Sequence, residues 1–193
     1  MEASRPSFVV GIGGSAGALH AYMEILAPLP SNTGMAFVII SHMHPTAFSH
    51  LASLLAGRTK MPVREASQAM PIQPNHVYVI PPNADLRVKG DAFNVVSPRS
   101  MVSKQVDIFL ISLAEAWGAR AIAVILSGYD GDGADGCRQI KANGGITLAQ
   151  DESAGVAGMP LAARATGCVD FVLPPNKIAN TLKAIGHNKR LGG

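Results

Sequence analysis

Residues 8–17 read FVVGIGGSAG, an apolar run that ends in glycines around a single serine. The apolar run predicts a buried strand, and the glycines predict a tight turn into a helix. Two motifs fit the same letters. From Gly11 they match G-x-G-x-x-A, the turn that binds dinucleotides, and from Gly13 they match G-x-S-x-G, the turn that exposes a nucleophilic serine. Ser15 is therefore either a nucleophile or a neighbour of a bound phosphate.

Strand-like runs alternate with helical patterns along the rest of the chain, which is typical of βαβ units and a parallel sheet. Further strands are predicted at 35–40, 121–128, 145–150 and 168–174, and helices at 47–56, 106–117, 132–143, 158–166 and 176–185. The helix that follows Ser15 has its predicted apolar face at Leu19, Tyr22, Met23 and Leu26.

The stretch from Val63 to Ser97 has a different texture, because its short apolar runs are separated by Pro-Pro-Asn-Ala-Asp and Lys-Gly-Asp turns. From His76 onward it predicts three short strands of an antiparallel β-hairpin excursion at one edge. We therefore predict an α/β fold: a doubly wound, mostly parallel sheet with helices on both faces. We expect residues 1–193 to form one domain, with its core at 8–185.

The composition excludes several classes of protein. Of the 193 residues, 48% are hydrophobic and 15% charged, which predicts a folded domain. A net charge of +3 with 5% aromatic residues provides no basic stripe for nucleic acid. The N-terminus lacks the apolar region of a signal peptide, and no apolar run approaches the roughly 20 residues of a membrane helix. We expect a cytoplasmic protein without membrane insertion, in which Cys137 and Cys168 are ordinary thiols.

The dinucleotide interpretation requires an acidic residue at the end of the second strand, where it would bind the ribose hydroxyls. That position holds Ser41 and His42 instead, and the turn is followed by no P-loop lysine. A nucleotide site is therefore disfavoured.

The nucleophile interpretation requires a base near Ser15 and an acid that orients this base. His42 follows the next strand, and the loop 130–135 brings carboxylates to the same edge of the sheet. Backbone N–H groups at the start of the following helix would suit an oxyanion. A serine in a glycine turn can equally be a helix cap, as can Asp132 or Asp135, so both interpretations remain open on these residues alone.

The spacing of possible ligands favours no metal site. His42, His44, Asp130 and Asp132 form no H-E-x-x-H motif and have no cysteine partner. The DGDGADG loop also fails as a calcium loop, because it lacks the glycine at its sixth position and the glutamate at its twelfth. We therefore expect neither a metal nor another cofactor.

Four stretches together resemble the catalytic domain of the chemotaxis protein-glutamate methylesterases, the CheB type. They are IGGSAGAL, VIISHMHP, AVILSGYDGDGADG and LAQDESAGVAGMPLAARATGCVDFVLPP. The resemblance implies Ser15 as the nucleophile, His42 as the base and Asp132 as its orienting carboxylate. It also implies an oxyanion hole formed by the backbone N–H groups of Tyr129 and Ala16. The order Ser, His, Asp along the chain differs from that of the α/β-hydrolases.

The resemblance implies hydrolysis of glutamate γ-methyl esters on the cytoplasmic helices of chemoreceptors, through an acyl-enzyme on Ser15, and deamidation of glutamines by the same attack. It also implies a receiver or methyltransferase domain on a longer or a separate chain. Ala18, Ser41 and Asp130 depart from the family pattern, in which these positions hold glycine, glutamine and glycine. The alternative is a non-catalytic binding module of the same fold that uses the crevice for a partner or nucleotide.

Overall fold

A computed structural model describes residues 5–42 and 50–191 of the chain. His44 and the beginning of the helix predicted from residue 47 lie outside the described residues. The strands are β1 Val9–Gly14, β2 Ala36–Ser41, β3 Val63–Glu65, β4 His76–Val79, β5 Asp85–Lys89, β6 Ala92–Val96, β7 Ala121–Ile125, β8 Ile146–Gln150 and β9 Phe171–Leu173. Seven of them form one sheet in the order β3-β4-β2-β1-β7-β8-β9, and all neighbours in it are parallel.

Helices cover both faces of this sheet. They are α1 Ala18–Leu26, α2 Leu51–Ala56, α3 Gln105–Trp117, α4 Ala134–Ala142, α5 Gly158–Ala165 and α6 Pro175–Leu191. Side chains of α1, α2 and α6 pack on one face, and those of α3, α4 and α5 pack on the other. Alternate residues of each central strand supply the two cores, as in β2, where Phe37 and Ile39 face α1 while Val38 and Ile40 face α3. Among the described residues, none of the helices is both long and apolar enough to cross a membrane.

The predicted doubly wound parallel sheet is confirmed, and so is the antiparallel hairpin, which β5 and β6 form as a separate two-stranded sheet. The strand that begins at His76 was wrongly assigned to this hairpin, because β4 pairs in parallel with β2 and β3. Val77, Tyr78 and Val79 are all buried. A strand buried on both faces belongs inside a parallel sheet, which explains the difference. That residues 1–193 form a single domain stays a prediction.

Helix α1 buries Tyr22 and Leu26 as its apolar spacing predicts, and Met23 is half-buried against the same core, so Leu19 is the one predicted position that differs. Ala18, Ala21, Tyr22, Ile25 and Leu26 are buried, whereas Leu19 is 37% exposed. The turn before the helix contains Gly17, with φ of +78°, and the small Ala18 that follows it packs closely against Gly14 of β1.

Strand β1 lies between β2 and β7, at the point where the order of the strands reverses. After β1 the chain builds the β2-β4-β3 side of the sheet, and it then returns to build the β7-β8-β9 side. Loops that leave the carboxyl ends of strands at such a point enclose the usual ligand crevice of an open α/β sheet. Ser15, His42 and Asp132 lie in the loops after β1, β2 and β7, respectively.

Candidate active site

Ser15 is the first residue after β1, in the turn that leads into α1. Its backbone N–H donates to the carbonyl of Ser127 at 2.8 Å, which fixes this turn against the loop after β7. Its hydroxyl makes no hydrogen bond with any residue that the structure describes. The hydroxyl is therefore available to react.

His42 follows β2, and its ring is held between two carboxylates. Nε2 lies 2.5 Å from Oδ2 of Asp132, and the side chain is 7% exposed. Nδ1 is buried and has no hydrogen-bond partner among the described residues; Oδ2 of Asp130 lies 3.6 Å away. A neutral imidazole that donates from Nε2 to a carboxylate keeps its lone pair on Nδ1. Nδ1 is therefore the nitrogen that can accept a proton.

The Asp132 side chain is fully buried and accepts two further hydrogen bonds. Its Oδ2 accepts the N–H of Val106 at 2.9 Å, and its Oδ1 accepts the N–H of Asp107 at 2.8 Å. Both donors belong to the first turn of α3, where N–H groups have no partner inside the helix. Asp132 thus caps α3 although it precedes α4, and the positive end of the α3 dipole favours the negative charge there.

Glycines allow these elements to approach each other. A Cβ on Gly13 would overlap Cγ1 of Val106, so only glycine lets the start of α3 lie this close to β1. Gly133, with φ of +97°, turns the chain from Asp132 directly into α4. The glycines that made the opening stretch ambiguous therefore position the donors that hold Asp132.

The backbone N–H groups expected to form an oxyanion hole belong to Ala16, directly after Ser15, and to Tyr129, in the loop after β7. Neither the N–H of Ala16 nor that of Tyr129 has a hydrogen-bond partner in the described part of the chain. The hydroxyl of Ser127 donates to the Ala16 carbonyl at 2.7 Å and joins the two loops. Gly128 is close enough that a Cβ there would lie 3.1 Å from Cβ of Ser15. Free N–H groups in this position could bind an oxyanion.

A cavity of about 320 Å³ connects Ser15 and His42, whereas Asp132 and Tyr129 do not line it. It is lined by Ser15, Ala16, Gly17, Leu19, Tyr22, Ser41 and His42. The structure thus brings Ser15 and His42 to one cavity without a hydrogen bond between them, whereas His42 and Asp132 are in direct contact. Hydroxyl–imidazole contacts are often long in the absence of substrate and tighten in the complex.

Tyr22, expected only as part of the apolar face of α1, lines this cavity and has a buried hydroxyl. Burial raises the pKa of Tyr22, and the nearby Ser41 hydroxyl only partly counteracts this rise. No hydrogen bond of ordinary geometry satisfies the phenol among the described residues. The available signal was a tyrosine on the first helix after the Ser15 turn, together with Ser41 where the family pattern has a larger glutamine.

The two thiols are the next candidates for a reactive site. Cys137 is buried, Cys168 is half-buried and both are free. Burial raises the pKa of Cys137 to about 12, which makes it a poor nucleophile. In the described ranges 5–42 and 50–191, no group of three or more histidine, cysteine, aspartate or glutamate side chains could hold a metal ion.

Most of the chain matches the model of a known protein family. The family model described as CheB methylesterase matches residues 10–182, which is most of the chain. The chain belongs to the CheB methylesterase family. Ser15, His42, Tyr129 and Asp132 all lie within the matched range.

Individual relatives of the family cover nearly all of this chain. It is 33% identical over 187 residues to protein-glutamate methylesterase/protein-glutamine glutaminase 2 of Methanospirillum hungatei, covering 95% of this chain and 53% of that protein. It is 34% identical over 181 residues to protein-glutamate methylesterase/protein-glutamine glutaminase 3 of Pseudomonas aeruginosa, covering 92% of this chain and 54% of that protein. The chain therefore spans about half the length of these two relatives.

A solved structure of the family has the same fold. The crystal structure of the Thermotoga maritima CheB methylesterase catalytic domain superimposes with a TM-score of 0.85 at 31% identity, covering 94% of this chain and 99% of that one. A putative methylesterase/glutaminase of Leptospira interrogans is 32% identical and is covered over 94% of its length. This chain is thus similar to the catalytic domain alone.

Proposed function

We propose that this chain is a serine hydrolase that removes methyl groups from glutamate γ-methyl esters on the cytoplasmic helices of chemoreceptors. One observation carries the proposal. His42 donates from Nε2 to the buried Asp132 at 2.5 Å, its Nδ1 has no hydrogen-bond partner among the described residues, and His42 and Ser15 line the same cavity. The names of the relatives, protein-glutamate methylesterase/protein-glutamine glutaminase, support the choice of substrate.

In the proposed acylation step, Oγ of Ser15 attacks the γ-carbonyl carbon of the ester and its proton passes to Nδ1 of His42. Asp132 keeps the Nε2 proton in place and stabilises the imidazolium that forms. The N–H groups of Ala16 and Tyr129 would donate to the carbonyl oxygen as it becomes negative. The C–O bond to the methoxy group then breaks, and methanol leaves with the proton from Nδ1.

In the second step, a water molecule attacks the acyl carbon and passes its proton to Nδ1 of His42. The bond to Ser15 breaks, Nδ1 of His42 returns its proton to the serine, and the product leaves as a glutamate carboxylate after its remaining proton passes to solvent. The same steps with ammonia as the leaving group would deamidate a glutamine. Each step uses the protein's own side chains and water, so the proposal includes no metal or other cofactor.

The test is methanol release from a methylated receptor fragment, with wild type compared to Ser15→Ala and His42→Ala. Each variant is expected to lose about 10⁶-fold in turnover, as in other serine hydrolases. Ser67→Ala is the matched control, because Ser67 is exposed and lies outside the cavity. Release that persists at the wild-type rate in Ser15→Ala would sink the proposal.

A serine-directed phosphonate separates the enzyme from a non-catalytic module of the same fold. An adduct at Ser15 that disappears in His42→Ala supports the enzyme, whereas an unlabelled folded protein supports the binding module.

We also propose a cytoplasmic location without nucleic-acid partners, on the strength of the composition. A receiver or methyltransferase domain, on a longer or separate chain, is the proposed partner.

A further inference from the structure

The helices α3 and α4 begin side by side. The N-terminus of each helix is capped by an aspartate that lies at the start of the other helix. Asp132, just before α4, accepts N–H groups from the first turn of α3. In return, Oδ1 of Asp107, in the first turn of α3, accepts the N–H groups of Gly133 and Gly136 at 2.9 Å each. Gly133 is the N-cap residue of α4, and Gly136 lies in its first turn. The two carboxylates therefore form a reciprocal clamp between the helices.

We propose that Asp107 is a positioning residue that holds Asp132 in contact with His42. The inference rests on the proposed function, in which Asp132 orients the base. Gly133 follows Asp132 directly, so the hydrogen bond from its N–H to Asp107 fixes the peptide unit that carries Asp132 into α4. Glycine restricts its own backbone angles less than any other residue, so this hydrogen bond limits the rotation of the chain directly after Asp132.

The negative charges of Asp107 and Asp132 lie close together in this clamp, and nearby N–H groups and Lys104 offset them. Burial raises the pKa of Asp107, the N–H of Gly136 counteracts that rise, and the negative charge of Asp132 adds to it. The half-exposed ammonium group of Lys104 also lowers the pKa of Asp107, with Nζ 3.0 Å from Oδ2 of Asp107. Two carboxylates can share this buried place because two helix N-termini and one ammonium group face them.

The distance that the clamp protects is the 2.5 Å contact between His42 and Asp132. Loss of the two bonds from α4 would free the turn at Gly133 and let the Asp132 carboxylate move away from Nε2. A displacement of about 1 Å in a catalytic group can cost on the order of 10²-fold in rate. Substrate contacts would not change, because Asp107 is buried and lies outside the residues that line the cavity.

Two substitutions at this position separate geometry from charge. Asp107→Asn retains the oxygen that accepts both N–H groups, and we expect kcat within about threefold of wild type. Asp107→Ala removes the acceptor, and we expect kcat to fall about 10²-fold with KM within about twofold. The low-field proton resonance of His42 Nε2–H should persist in the asparagine variant and shift or vanish in the alanine variant.

Asp170→Ala is the matched control for a purely structural effect. Asp170 also accepts a backbone N–H and a hydroxyl, both from Thr147, and pairs with Lys141 at the far edge of the sheet. We expect it to lower the unfolding midpoint and leave kcat and the His42 resonance unchanged. The inference is overturned if Asp107→Ala behaves in the same way as Asp170→Ala.

A third variant covers the case in which Asp107→Ala does not fold. Asp107→Glu keeps the charge on a longer side chain, so its oxygen cannot meet both N–H groups, and kcat should fall at least about tenfold. An unchanged kcat in this variant overturns the inference. Failure of the proposed function is a different result, because it appears as activity retained in Ser15→Ala or His42→Ala.

Discussion

Replacement of Asp132 by asparagine removes one of the two oxygens that serve three donors. In the native site, Oδ2 accepts from His42 and Val106, and Oδ1 accepts from Asp107. The amide NH₂ of the introduced asparagine must replace one of these oxygens. Either orientation places an amide N–H against a backbone N–H of α3, so a buried donor loses its acceptor at a cost of about 1–3 kcal/mol.

The effect on catalysis should be larger than the effect on stability. If the amide nitrogen faces His42, Nε2 must become the acceptor and the ring proton moves to Nδ1. Nδ1 then has no lone pair to take the proton of Ser15. The corresponding change in a serine protease triad lowers kcat about 10⁴-fold. We expect a similar loss here, which corresponds to about 5.4 kcal/mol in the activation free energy.

Asp130→Asn is the informative comparison, because Asp130 is the other carboxylate beside His42. Its oxygen lies 3.6 Å from Nδ1, its side chain is 39% exposed, and its Oδ1 accepts the N–H of Asp132, which an asparagine oxygen can also do. An exposed pair of this kind contributes at most about 1 kcal/mol, or roughly fivefold in rate.

The assay is methanol release under single-turnover conditions, combined with the rate of phosphonate labelling at Ser15. Circular dichroism of both variants establishes that they are folded. The reasoning is refuted if Asp130→Asn loses more activity than Asp132→Asn, because the orienting acid would then be Asp130. It is also refuted if Asp132→Asn labels as fast as the wild-type protein.

Three further predictions concern groups outside the proposed triad. Iodoacetamide at about pH 8 should modify Cys168 and spare Cys137 until urea unfolds the protein, as measured by intact mass, because burial raises the pKa of Cys137 to about 12. Tyr22→Phe removes a buried hydroxyl without a satisfactory partner, so the unfolding free energy should stay the same or rise by up to about 1 kcal/mol in urea titrations. Burial of Asp85 is outweighed by hydrogen bonds from Ser100, which lower its pKa, so its contribution to stability is present at neutral pH and lost as the pH falls below about 4. Denaturation between about pH 5 and 2 should therefore show a flatter pH dependence in Asp85→Asn than in wild type.

The sequence predicted the sheet because its central strands are buried on both faces and read as unbroken apolar runs. Ser15, His42 and Asp132 could be brought to one edge on the same grounds, since the loops after neighbouring parallel strands converge. The misassigned strand shows the limit of this reasoning. Three buried residues in β4, Val77 to Val79, carry too little pattern to distinguish a parallel neighbour of β2 from part of a hairpin.

The support of the candidate site could not be predicted from motifs. The donors to Asp132 are backbone N–H groups at Val106 and Asp107, and any residue type except proline supplies a backbone N–H. Their position depends on how closely α3 approaches Gly13, which is a property of tertiary packing. Asp107 was visible in the sequence only as an acid in the first turn of a helix, where the expected role is to cap its own helix.

Because β1 pairs with both β2 and β7, the parts of the candidate site become available at different times during synthesis of the chain. Ninety residues separate His42 from Asp132, and the strand that carries the Asp132 loop pairs with the first strand of the sheet. A chain growing on the ribosome presents the serine and the histidine early, but without the acid and the α3 N-terminus the imidazole has nothing to hold its proton on Nε2. Under the proposed mechanism, hydrolysis therefore requires the second half of the sheet, and a truncated translation product that ends before β7 should be inert toward esters.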